Sequence, residues 1–294
     1  MPAVVAEAVR IPAFLRRSFS VHGQWEPAKQ LVRELRLNTV CLEAKCPNLG
    51  ECWSHGNVSF MILGSACTRS CGFCSVRTAR PGGVDPGEPQ RLAEAIARLK
   101  LQYAVVTSVA RDDLPDEGAG HFAACIGAIR ARSPQTQIEV LIPDFHVRPD
   151  CLERVVGAGP EVVSHNLETV ERLTRLIRPQ AGYRRSLEVL AALRRLGGEQ
   201  LRVKSGLMVG LGERPEEVRK TMADLKGAGC DILTVGQYLR PTPEHLPVAE
   251  FLSPEAFERY RAWGQAMGFS FVASGSYVRS SYNAFEALQL ERKR

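Results

Sequence analysis

Residues 60–74 read FMILGSACTRSCGFC, an apolar run that passes within a few positions into a loop carrying Cys67, Cys71 and Cys74. Phe60 to Leu63 is too short for a helix and suits a buried strand. A polar, ligand-bearing loop directly after it puts chemistry at a strand's C-terminal end, where parallel α/β folds build their sites. The same pairing recurs further along the chain. Apolar runs at Tyr103 to Thr107, Ile138 to Ile142, Val162 to Val163, Leu201 to Met208 and Ile232 to Val235 bring the candidate strands to six, several rich in β-branched residues. Between them lie helical spacings: Leu92, Ile96 and Leu99; His121 to Arg130; Leu187, Leu190 and Leu193; Val218, Met222 and Leu225; Phe257, Tyr260 and Trp263. Alternation of this kind predicts right-handed βαβ units around a parallel sheet, either doubly wound or curled toward a barrel, and we favour a partial (β/α)6 barrel. Polar loops follow three of the strands, TSVARDD from Thr107, SHNLET from Ser164 and GLGE from Gly210, at the same end as the cysteines.

Three segments are expected. Residues 1–58, rich in Pro, Gly, Asn and Cys with little periodicity, form an irregular extension; 59–267 form the barrel; 268–294 form a C-terminal segment. The 294 residues are 45% apolar and 24% charged, ordinary globular usage, with no apolar run approaching the ~18 residues of a membrane span. Thirty-eight basic against 32 acidic residues give +6, spread along the chain and not gathered into a nucleic-acid stripe. The opening MPAVVAEAVRIPAFLRRSFS is interrupted by Glu7 and Arg10 and lacks the order of a secretory signal, so a cytoplasmic protein is expected.

Nine cysteines in a chain of core-forming composition argue against a disulfide scaffold. Six of them fall in two triads, Cys41, Cys46 and Cys52, then Cys67, Cys71 and Cys74. Lys45, Glu51, Arg69 and Ser70 are interleaved where a core stripe would be apolar, so both triads read as ligands. Cys125, Cys151 and Cys230 stand alone and read as core thiols. Structural zinc takes four ligands; His55 could complete the first triad as a Cys₃His site, whereas the second has no fourth ligand nearby. Three thiolates on a strand-end loop fit a [4Fe-4S] cluster with one iron open to a small molecule.

Cys67-x3-Cys71-x2-Cys74, with Phe73 before the last cysteine, resembles the signature of the radical S-adenosylmethionine (SAM) superfamily. CLEAKCPNLGECW from Cys41, TSVARDDLPDEGA from Thr107, SHNLETV from Ser164, SGLMVGLGE from Ser205, GQYLRPT from Gly236 and RSSY from Arg279 resemble, in the same order, the lipoyl synthase family. The chain departs from that pattern at Ser276, where the family has proline after the glycine, and at Asn283, where a basic residue is usual.

The resemblance implies that Cys67, Cys71 and Cys74 hold a cluster whose open iron chelates SAM. Its reduction yields a 5'-deoxyadenosyl radical, which can attack unactivated C–H bonds that acid-base chemistry cannot reach. It implies a second [4Fe-4S] cluster on Cys41, Cys46 and Cys52, with Ser281 as fourth ligand, that donates sulfur to C6 and C8 of an octanoyl chain on a lysine. The implied partners are a lipoyl carrier domain or the glycine cleavage H protein, with an electron donor such as ferredoxin or flavodoxin. No nucleic acid, no membrane and a monomeric enzyme are expected. SAM contacts are expected from Phe73, Thr107, Ser108, Asn166, Glu168, Met208 and Gly210. Read as bare residues, Asn166 and Glu168 could equally cap a helix, and Glu213 could close a strand-to-helix turn. Arg111, Asp112 and Asp113 either line the same mouth or form a solvated loop. His165 reads as a structural histidine. In an extended segment Ser280 and Ser281 would face opposite ways, so only one can reach the second cluster. The competing functions are sulfur insertion into a free small molecule, tRNA methylthiolation, and a non-enzymatic zinc module.

The metal content separates these readings. Anaerobically purified protein is expected to be brown, with about eight irons and matching acid-labile sulfide per chain. About one zinc and no sulfide would refute the iron-sulfur reading.

Overall fold

The computed structural model describes residues 12–15, 25–282 and 286. Most of the leader, and Asn283, lie outside the described residues. Its strands are β1 (Asn38–Thr39), β2 (Ser59–Ile62), β3 (Ala66–Cys67), β4 (Arg77–Thr78), β5 (Tyr103–Ser108), β6 (Gln137–Leu141), β7 (Val162–Ser164), β8 (Arg202–Val209), β9 (Ile232–Gln237) and β10 (Phe271–Gly275). Its α-helices are α1 (Glu26–Glu34), α2 (Val40–Glu43), α3 (Leu49–Ser54), α4 (Glu88–Arg98), α5 (Ala119–Arg132), α6 (Pro149–Gly157), α7 (Glu171–Ile177), α8 (Tyr183–Gly197), α9 (Pro215–Gly227) and α10 (Pro254–Ala266). Five helices, α1, α4, α6, α9 and α10, carry proline at their first or second position, where its missing N–H costs nothing.

The main sheet runs β1-β2-β5-β6-β7-β8-β9-β10, parallel from β2 to β10, with β1 antiparallel on one edge. All six expected strands are present. Parallel β10 extends the sheet beyond them, pairing Phe271–Gly275 with Ile232–Gly236. Its sequence, FVASG, is short and small and carries little strand signal of its own.

Register divides the sheet into two faces. One carries Phe60, Ala104, Val106, Ile138, Val140, Val163, Val203, Leu233 and Val235, all buried in the large core that the helices cover. The other, inner face has Tyr103, Val105 and Val162 as a separate small cluster, with glycines and polar groups above it. Cys125, Cys151 and Cys230 are buried free thiols, as expected. No helix among the described residues is long and apolar enough to cross a membrane.

The inner face also holds an ion pair. Lys204 on β8 reaches over β7 to Glu139 on β6, with Nζ at 2.8 and 2.9 Å from the two carboxylate oxygens, and the Tyr103 hydroxyl donates to Oε2 at 2.6 Å. Lys204 and Glu139 are each 1% exposed. Removing one partner of such a pair leaves a buried charge uncompensated, whereas replacing both with apolar groups is far cheaper. Lys204→Met is therefore expected to destabilise by about 3–5 kcal/mol in denaturant unfolding, with Lys204→Met/Glu139→Leu recovering most of the loss. A single variant as stable as the parent would contradict this role.

Candidate functional site at the barrel mouth

After β2 the chain turns through Leu63 and Gly64, both with positive φ, into the loop of the second cysteine triad. Parallel pairing of β3 with β4 closes the base of that loop. Backbone bonds from three directions hold it: Thr68 N to Ala110 O (3.1 Å), Gly72 N to Ile177 O (2.9 Å) and Leu246 N to Gly72 O (3.1 Å). The His245 ring meets the Cys74 carbonyl at 3.0 Å. Cys67 Sγ accepts from the backbone N–H groups of Arg69 (3.4 Å) and Ala110 (3.3 Å). Burial pushes the Cys74 thiol up to about 12 and raises Cys71, with Arg178 opposing the rise at Cys71. Thiols so placed ionise when a cation offsets their desolvation. Phe73 packs against the core.

Of the expected SAM contacts, Thr107 and Ser108 end β5, Asn166 and Glu168 follow β7, and Met208 and Gly210 lie at and just after the end of β8. Thr107 donates to the Leu141 carbonyl (3.0 Å), and Ser108 Oγ is buried without a partner. Glu168, at φ 68, is pinned beside β8 by Glu168 N to Gly206 O (2.9 Å) and Met208 N to Glu168 O (2.8 Å). Helix α7 starts beyond it, with Val170 as its N-cap, so Asn166 and Glu168 are not capping residues. Burial raises the Glu168 carboxyl, opposed by Arg178 and by a bond from Asn166. Gly210 has φ 103, and a Cβ there would strike Gln237 and the Glu250 carbonyl. Glu213 does close the turn, accepting from Gly210 N and Leu211 N at 2.9 Å each.

Arg111 is buried on Asp113, Leu63 O and Gly82 O, and Asp112 takes a two-pronged bond from Arg69; together these residues brace the rim. His165 is buried with both ring nitrogens partnered, by Ile142 O and Ser186 Oγ at 3.0 Å, and burial lowers it to about 4.

Cys41, Cys46 and Cys52, on and between α2 and α3, line one cavity together with Asn48, Arg279, Ser281 and Tyr282. The two chain ends are tied together there: Asn48 Nδ2 donates to Tyr277 O (2.7 Å) and the Tyr282 hydroxyl to Glu51 Oε1 (3.1 Å). Burial and the neighbouring Cys41 push the Cys52 thiol up to about 12, and burial raises Cys46. Arg279 stands near Cys46 and donates to Val278 O at 2.7 Å. His55 is exposed, bonds the Glu51 carbonyl at 2.7 Å and does not line the cavity.

Among the described residues, the sole trio of His, Cys, Asp or Glu ligand atoms mutually within 4.8 Å is Asp112, Glu117 and His146. There Asp112 is held by Arg69, and His146 pairs with Glu117. Neither cysteine triad is drawn that close, whereas tetrahedral zinc, with Zn–S about 2.3 Å, sets its sulfurs about 3.8 Å apart. The donor set of each group, three thiols, suits an iron-sulfur cluster.

The RSSY segment is a turn, not the extended run expected, because Tyr282 N bonds Arg279 O at 3.0 Å. The two serines nonetheless diverge, Ser281 to the cysteine cavity and Ser280 to Asn166. Where the family has proline, Val278 N bonds Gly275 O at 3.1 Å and closes the approach. Sequence reasoning missed Gly236, the last residue but one of β9: a Cβ there would collide with the Val278 carbonyl. GQYLRPT carried that signal.

Gly236→Ala is therefore expected to dislodge the C-terminal segment and to lower iron from about eight to about four per chain. Gly127→Ala, with nothing within 4 Å of the added carbon, serves as the control and keeps full iron. Full iron in Gly236→Ala would show that the close approach is dispensable.

The family model described as the radical SAM superfamily matches residues 61–225. A lipoyl synthase of Thermus thermophilus is 54% identical over 275 residues, covering 93% of this chain and 85% of its own. A mitochondrial lipoyl synthase of Nematostella vectensis is 50% identical, covering 93% of each chain. The X-ray structure of the FeFe-hydrogenase maturase HydG from Carboxydothermus hydrogenoformans superimposes with TM-score 0.56 at 14% identity, over 92% of this chain and 70% of that one, a likeness of fold alone. With a family model over more than half its length and relatives at half identity over nearly all of it, the chain belongs to the lipoyl synthase family of the radical SAM superfamily.

Proposed function

We propose that this chain inserts two sulfur atoms, at C6 and C8, into an octanoyl chain carried on a lysine of a lipoyl carrier domain or glycine cleavage H protein. The observation that supports the reading is the first thiol triad sharing one cavity with Ser281, in a chain whose second triad sits on the loop after β2. Family membership implies one [4Fe-4S] cluster and SAM; the second cluster and every residue assignment below are our reading. Bound there, the clusters and SAM supply reductive radical formation, hydrogen abstraction and sulfur.

Cys67, Cys71 and Cys74 hold the first cluster, with the N–H groups of Arg69 and Ala110 donating to the Cys67 sulfur. Asn166 and Glu168 present polar groups to SAM at the mouth, with Thr107, Ser108 and Phe73 beside them. Met208 and Gly210 bring the end of β8 close to the adenine. Cys41, Cys46, Cys52 and Ser281 hold the sulfur-donating cluster, and Arg279 offsets the negative charge their thiolates build up. An alkoxide is a harder ligand than a thiolate, which makes the Ser281 corner the labile one. Residues of both flanking segments, Cys41 to Cys52 on one side and Tyr277 to Tyr282 on the other, thus serve one site jointly. We place the enzyme in the cytoplasm as a monomer, reduced by a donor such as ferredoxin or flavodoxin.

The triads should separate by reaction step. Cys71→Ala is expected to abolish SAM cleavage; Cys46→Ala should still form 5'-deoxyadenosine while losing sulfur insertion into an octanoyl-lysine peptide. Ser281→Cys should keep both clusters and slow sulfur transfer. Product formation by both alanine variants, or loss of SAM cleavage in both with the other cluster intact, would overturn the assignment.

A further inference from the structure

Asn166 follows β7, three strands away from β10 in the sheet, yet the segment after β10 reaches it. Asn166 Nδ2 donates to Glu168 Oε1 at 3.0 Å and to Ser280 Oγ at 2.6 Å, while Oδ1 is buried with no partner. The residue is only 7% exposed. A side-chain amide has a donor end and an acceptor end, and a half-turn exchanges them. Here two oxygens from different parts of the chain take both amide hydrogens, which fixes the nitrogen on their side and the oxygen on the other. Oδ1 then stands over Gly206 on the inner face of β8, 3.0 Å from where a Cβ would sit. An acceptor buried without a partner is costly, and a donor brought by a ligand relieves it.

We propose that Ser280 is a positioning residue for the SAM site, holding Asn166 so that Oδ1 is aimed as an acceptor at a hydroxyl or ammonium of SAM. The inference rests on the proposed contact between Asn166 and SAM. One four-residue turn then serves both sites: Ser281 faces the first cysteine triad and Ser280 orients the SAM contact. By linkage, SAM binding steadies the same turn that closes the auxiliary cavity. The serine that cannot reach the cysteines thereby acquires a role of its own.

SAM affinity of the anaerobic holoenzyme, measured by equilibrium dialysis, tests this directly. Ser280→Ala is expected to raise the Kd for SAM about five- to tenfold, the scale of one hydrogen bond, with iron and sulfide unchanged. Ser280→Thr, which keeps the hydroxyl, should return the Kd to within about twofold of the parent. The KM for SAM should rise in step, while kcat for sulfur insertion at saturating SAM stays within about twofold. In an Asn166→Ala background the Ser280 substitution should change nothing further. Weakened binding in Asn166→Ala with parental binding in Ser280→Ala would overturn the positioning role and leave the SAM contact standing. Parental binding in both would overturn the SAM contact and the inference with it. Additive effects of the two substitutions, or loss of iron in Ser280→Ala, would show that Ser280 acts independently of Asn166 or only as a packing residue, and would equally overturn the proposal.

Discussion

The Val278 carbonyl lies so close to the end of β9 that only a residue without a side chain fits beneath it, and that residue is Gly236. Much of the site's geometry depends on this crossing. It lets the segment after β10 fold back over the mouth, where Asn48 and Glu51 from the N-terminal helices bind Tyr277 and Tyr282. Chain ends more than 200 residues apart thereby enclose one cavity around three thiols and a hydroxyl. The sheet is parallel from β2 to β10, so the loops after its strands share one rim, and the second triad lies on the loop after β2.

Electrostatics favours the neutral form of four of the six triad thiols. Burial is the largest influence on Cys46, Cys52, Cys71 and Cys74, and it raises all four. Arg279 beside one triad and Arg178 beside the other oppose that rise, and backbone N–H groups reach Cys67. Neutral thiols are favoured alone, and thiolates once iron binds. Deeper in the barrel, the pairing of Lys204 with Glu139 fills the inner face with a satisfied polar network, below the level where open polar groups such as Asn166 Oδ1 begin.

Residues with strong local signals were legible in the sequence. The six apolar runs became strands because short apolar runs bounded by polar loops have few other ways to bury themselves. The cysteine triads stood out because charged neighbours interrupt them. Strand β10 was not legible, since FVASG owes its strand state to pairing with β9 and not to its own propensity. Helices α1, α2 and α3, in the segment expected to be irregular, and α6 and α7 were missed as well, each being nine residues or shorter. The Ser280–Asn166 bond spans 114 positions and leaves no periodicity to read. Divergence of the two serines was foreseen, but from an extended backbone; a hydrogen-bonded turn achieves it instead.

The central claim is that two iron clusters share this mouth, one on each triad, with Ser281 closing the second. Anomalous diffraction at the iron edge from anaerobically grown crystals locates them directly. The account predicts two four-iron peaks, one bounded by Cys67, Cys71 and Cys74 and the other by Cys41, Cys46, Cys52 and the Ser281 hydroxyl. A single iron site, a mononuclear metal on the first triad, or Ser281 turned away from the second peak would contradict it.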